Sequence, residues 1–115
     1  MGSARIVTDE SFEQDVLNSS KPVIVEYWAE WCPPCRQVAP VLDAIAAEHS
    51  AAVDVVTLNV DENPRTAQRY AVMQVPTISL FSGGEIARQV IGARSKSSLL
   101  REFADFIGGP GRIAG

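Results

Sequence analysis

The chain has 115 residues, 46% of them hydrophobic and 21% charged, with a formal net charge of -4 at pH 7. That length and apolar content fit one compact domain with its own core, and the mild acidity argues against nucleic acid or an anionic membrane as partner. No uninterrupted apolar run approaches the roughly 20 residues of a membrane-spanning helix, and Met1–Ile6 hold no apolar signal core, which predicts a cytoplasmic protein.

A short extended stretch around Arg5–Val7 leads into a first helix, for which Thr8 or Asp9 offers an N-cap and Phe12, Val16 and Leu17 an apolar face. Asn18-Ser19-Ser20-Lys21-Pro22 stops it. Val23–Trp28, rich in β-branched and aromatic residues, reads as a central strand. After the segment Trp31-Cys32-Pro33-Pro34-Cys35, the residues Val38, Val41, Leu42 and Ile45 mark one face of a helix reaching about His49. Pro40 falls inside it and is expected to kink it.

Val53–Val60 forms the next strand, and Asn63-Pro64 opens a short helix through Tyr70, since proline suits a first helical turn. Thr77–Phe81 and Glu85–Ile91 flank Ser82-Gly83-Gly84, a hairpin signal. Ser95 caps a last helix whose inward face is Leu99, Leu100, Phe103, Phe106 and Ile107. Gly108-Gly109-Pro110-Gly111 breaks it.

The predicted order is β-α-β-α-β-α-β-β-α. Helices alternating with strands imply parallel crossovers, and the hairpin adds an antiparallel part. The expected architecture is therefore α/β, a central mixed five-stranded sheet with helices on both faces. A single domain over residues 1–107 and a flexible tail over 108–115 complete the expectation.

Cys32 and Cys35 are the chain's two cysteines, too few for the disulfide-dense scaffolds of small secreted proteins. A disulfide stabilises mainly by closing a long loop in the unfolded chain. Closing two intervening residues removes little entropy, so this spacing suits a reversible switch better than a staple. Two inert buried thiols are the alternative reading. A closed zinc site wants four ligands, and only His49 could supplement the pair, so no metal is expected. Arg36 after Cys35 excludes the c-type haem attachment pattern.

Trp28-Ala29-Glu30-Trp31-Cys32-Pro33-Pro34-Cys35, taken with this element order, closely resembles the thioredoxin family. Asp61-Glu62-Asn63-Pro64, Val75-Pro76-Thr77 and Val90-Ile91-Gly92-Ala93 extend the resemblance over roughly residues 5–107. The resemblance implies the thioredoxin fold and a monomeric thiol–disulfide oxidoreductase that reduces protein disulfides. It implies no bound cofactor, with reducing equivalents drawn from NADPH through a flavoprotein thioredoxin reductase. No Gly-rich nucleotide fingerprint is present in the chain.

Cys32 falls where a strand ends and a helix begins, where unpaired N–H groups and the helix dipole favour a thiolate. It is the candidate nucleophile, and Cys35, one turn on, the resolving thiol. Glu26 sits in the apolar central strand, where an acid is costly unless neutral, hydrated or paired. The strand pattern leaves open a buried acid or one reaching solvent near the strand end. The resemblance, which places a buried aspartate here, implies a proton carrier for Cys35, and Glu26 is expected to be neutral at pH 7. Thr57 stands where the family often has a lysine.

Pro33 departs from the family's glycine and should stiffen the loop, while Pro34 fits the first helical turn. By the resemblance Pro76 is a cis-proline, although only about 5–6% of X–Pro bonds are cis. Trp31, Pro33, Pro34, Val75, Pro76, Gly92 and Ala93, with Val60 and Gln74, would border the substrate surface. There the backbone of Val75 would bond an extended segment. Trp31 is expected at the surface and Trp28 towards the core. Two other readings remain: an exported oxidant or isomerase, and a redox-independent binding module.

Overall fold

The computed structural model describes residues 4–107; the expected tail lies outside them. Five strands, β1 (Arg5–Ile6), β2 (Val23–Trp28), β3 (Asp54–Asn59), β4 (Thr77–Ser82) and β5 (Glu85–Ile91), form one sheet. Its order is β1-β3-β2-β4-β5. β1, β3 and β2 run parallel, whereas β4 is antiparallel to β2 and β5 to β4. The mixed sheet of the sequence expectation is therefore present.

Alternation along β2 decides what each face holds. Val23, Val25 and Tyr27 point to one side, where Val7, Phe12, Val16, Val56, Leu58 and Phe81 complete a buried cluster. Phe12, Tyr70 and Phe81 meet there at ring distances of 5.2 to 5.7 Å, mostly edge-on. Ile24 points to the other side, beneath Val38, Leu42 and Ile45 of α1 (Pro33–Glu48) and Leu99, Phe103 and Ile107 of the C-terminal helices. Glu26 shares this second face. It is the one residue of β2 that is both acidic and buried, at 2% exposure.

The first helix differs from its prediction. Glu13–Leu17 is a single π-helical turn, in which the Asn18 N–H donates to the Glu13 carbonyl. Thr8 does accept from the Ser11 N–H, at 3.2 Å. Asp9 instead reaches across 57 residues to the start of α2 (Pro64–Arg69), where Oδ1 accepts from the N–H and hydroxyl of Thr66 at 2.8 and 2.6 Å. Asn63 Oδ1 returns a bond by accepting from the Asp9 N–H. The two segments are thus locked together.

α1 runs through Pro40, whose missing N–H leaves the Arg36 carbonyl without its usual partner four residues on. Gly83 and Gly84, at φ +63° and +85°, make the left-handed hairpin turn that side chains resist. Ser95 caps α3 (Lys96–Glu102) through the Ser98 N–H. The last helix is split, since α3 gives way at Phe103 to a short α4 (Ala104–Ile107).

Candidate active site

The end of β2 delivers the chain to Ala29, and α1 begins four residues later at Pro33. Cys32 is the N-cap of α1, in extended conformation, and its sulfur accepts the Cys35 N–H at 3.2 Å. Pro33 and Pro34 occupy the first two helical positions, where missing N–H groups cost little. Their joint effect is selective: Cys35 supplies the first N–H of the helix that can reach the sulfur. The stiffening residue and the helix-starting residue of the sequence reading therefore act together.

Cys32 and Cys35 are disulfide-bonded, with Cα atoms 5.4 Å apart. Both are buried, since Trp28, Val60 and Val75 pack against the cluster they form with Ala29. Cys32 is only 2% exposed. In this oxidised form the Cys32 sulfur is nearly covered, and Sγ lies 3.6 Å from the Val75 carbonyl oxygen.

The Val75–Pro76 bond is cis, as the resemblance implied. It is held from two sides. Thr77 Oγ1 donates to the Gln74 carbonyl at 2.7 Å, and the Gly92 N–H donates to the Pro76 carbonyl at 2.8 Å. Gly92 has φ +95° with open space where a Cβ would stand, and Ala93 beside it is exposed.

Trp31 is 65% exposed, and its indole N–H donates to Asp61 Oδ2 at 2.8 Å. Trp31, Val60, Val72, Met73, Gln74 and Val75 line a shallow groove of about 120 Å³ beside Cys32. Pro33 and Pro34 are exposed. Sequence reasoning did not single out Met73, which is 88% exposed, or Asp61 as the partner of Trp31. Nothing local marks either role.

Behind the pair the chemistry changes. Glu26 Oε2 is buried with no hydrogen-bond partner. Burial, reinforced by the negative charge of Asp43, pushes the Glu26 carboxyl up to about 7. The upward direction is the one the sequence reading expected of a buried acid. Trp28, expected in the core, is half-buried and lines a cleft with Glu26, Cys35, Arg36, Ala39 and Thr57.

This sheet, with a disulfide at the mouth of its longest described helix and Pro76 alongside, defines a thiol–disulfide oxidoreductase. Comparison with known proteins agrees. The thioredoxin family model matches residues 3–105. A thioredoxin of Streptomyces clavuligerus is 52% identical over 100 residues, covering 87% of this chain and 92% of that protein. One from Mycolicibacterium smegmatis is 50% identical over 101 residues, 86% of this chain and 90% of that protein. A bifunctional thioredoxin reductase/thioredoxin of Mycobacterium leprae is 48% identical over 101 residues, 88% of this chain and 22% of that protein.

The chain belongs to the thioredoxin family. Its activity is that of a protein-disulfide reductase carrying a redox-active disulfide.

Proposed function

We propose that Cys32 attacks and Cys35 resolves, through the following exchange. The Cys32 thiolate attacks one sulfur of a substrate disulfide, forming a mixed disulfide and expelling the other substrate sulfur as a thiolate. Cys35 then gives up its proton and attacks Cys32 Sγ. The second substrate thiolate departs, and the two electrons of the dithiol have passed to the substrate. Because both thiols sit on one chain, the second step gains a high effective concentration.

The observation that carries this assignment is the capping bond from the Cys35 N–H to Cys32 Sγ. An N–H and a helix N-terminus aimed at one sulfur stabilise negative charge on it. Cys35, inside the first turn, has no such cap. In this reading Glu26 takes the Cys35 proton, directly or through one water. A carboxyl titrating near 7 can both accept and release it at neutral pH.

Substrate would lie across Trp31, Pro33, Pro34, Val75, Pro76, Gly92 and Ala93, with its backbone paired to that of Val75. The open space over Gly92 lets a partner chain approach closely. The reading gives the protein a flavoprotein thioredoxin reductase fed by NADPH as its electron source. The fused Mycobacterium leprae relative supports that pairing by its name. It also treats the protein as a cytoplasmic monomer. Among the described residues no helix is long and apolar enough to cross a membrane.

Trapping tests the assignment. Cys35→Ser, mixed with an oxidised protein substrate, should accumulate a covalent adduct through Cys32, while Cys32→Ser should yield none. Adduct formation by Cys32→Ser alone would reverse the roles. Retained disulfide reduction in the double serine variant would remove the exchange chemistry altogether.

A further inference from the structure

The cleft behind the cysteine pair has a volume of about 210 Å³ and is lined by Glu26, Trp28, Cys35, Arg36, Ala39 and Thr57. It lies on the α1 side of the sheet, apart from the groove of Trp31 and Val75. Trp28, Ala39 and Cys35 give it apolar walls. At its floor stands a carboxyl that is 2% exposed and whose Oε2 has no partner.

The electrostatics around that carboxyl are one-sided. On α1 the titratable or charged groups facing it are Cys35, Arg36 and Asp43. On β3 and β4 its register neighbours are Thr57 and Ile78, neither of which carries charge. Asp43 adds negative charge, while the Arg36 guanidinium, also at the cleft, donates to the Glu30 carbonyl. An apolar passage ending at an unanswered acid lacks a donor or a cation on a short hydrocarbon stem.

We infer that this cleft is a binding site for a primary alkylammonium of about four carbons, its ammonium on Glu26 and its stem against Trp28 and Ala39. The size agrees, since apolar cavities of about 150 Å³ admit benzene, and butylammonium has about the same volume. A lone water would bond the acid but leave the walls uncovered. Cys35 lines the same cleft, so an occupant would sit beside the resolving sulfur. The site rests on the buried acid, not on its part in thiol exchange.

The test uses the full chain in its disulfide form, where no thiol is free to react. Failure of binding therefore leaves the exchange mechanism standing, and failure of the exchange mechanism leaves binding measurable. At pH 8, n-butylammonium chloride titrated into the labelled protein should shift the amide and indole resonances of Trp28 and Ala39. It should bind about tenfold or more tightly than n-butanol, as expected for a hydrogen bond to a charged group. That preference should vanish in Glu26→Gln and shrink at pH 5.5, where Glu26 is protonated.

Ala39→Met, which fills the cleft from the helix side, should abolish binding of both probes without touching the acid. A glycyl-lysyl-glycine peptide separates the sources of such an ammonium. Competition with butylammonium assigns the site to a lysine of a partner, and exclusion assigns it to free amines. Equal affinity for the alcohol and the ammonium, or binding indifferent to both substitutions, would overturn the inference. So would the absence of any shift at Trp28 and Ala39.

Discussion

Asp9 and Glu26 are both acids with largely covered side chains, and they have opposite fates. Asp9 stands at the start of α2. Burial pushes its carboxyl up, but bonds from the Thr66 hydroxyl and the Thr66 and Arg65 N–H groups, with the Arg65 charge, outweigh that and hold it below the usual range. Glu26 stands under the flank of α1, where nothing donates to Oε2, and burial carries it up to about 7. A helix N-terminus satisfies an acid, and a helix side does not. One acid is a tie between segments. The other is left without a donor.

The pH dependence of stability separates them most strongly. A carboxyl with a raised folded value makes the folded chain bind more protons than the unfolded one. Its contribution is therefore most favourable below about 4.5 and is lost as pH rises towards about 7. From pH 4.5 to 8 this slope is worth about 3 kcal/mol, and Glu26→Gln should remove it in urea titrations across that range. Asp9 acts in the other direction. Its contribution is present above the ordinary aspartate value and lost as pH falls through its lowered one. A Glu26→Gln protein with an unchanged slope would erase the contrast.

In catalysis the next effect appears. Glu26→Gln should slow resolution of the mixed disulfide on the order of a hundredfold at pH 7, read by rapid quench, while Asp9→Asn should leave that rate alone. Third comes the tie itself. Asp9→Ala should cost about 2 kcal/mol, the loss of a cap and its bonds, seen as a lower urea midpoint with no change in exchange rate. Smallest is Thr66→Val, which removes one hydroxyl from the Asp9 carboxylate and should cost about 1 kcal/mol. If Thr66→Val equalled Asp9→Ala, the N–H bonds to Asp9 would be carrying nothing.

These two acids also mark where sequence reading succeeds and stops. Glu26 was conspicuous because it interrupts an apolar strand, an anomaly visible within six residues. Cys32, Cys35, the Gly83-Gly84 turn and the Ser95 cap are legible for the same reason: their chemistry is local. Pro76 required the family resemblance, because no local rule distinguishes its isomer. Asp9 reads as a cap for the helix that follows it, but its partners lie 56 and 57 residues away, on α2. A pattern along the chain holds no record of which helix end folds alongside. Likewise Ala39 is an unremarkable letter until α1 places it around one cleft with Glu26 and Thr57.

The sulfur of Cys32 has two occupations, since it also closes the first turn of the 16-residue α1. In the structure that sulfur is bonded to Cys35 and still accepts the Cys35 amide, so a covalent bond there does not by itself release the cap. The first turn of α1 is therefore closed in the oxidised form. Hydrogen exchange at the Cys35 amide should accordingly be slow in the disulfide form, a readout of this one contact from within the backbone.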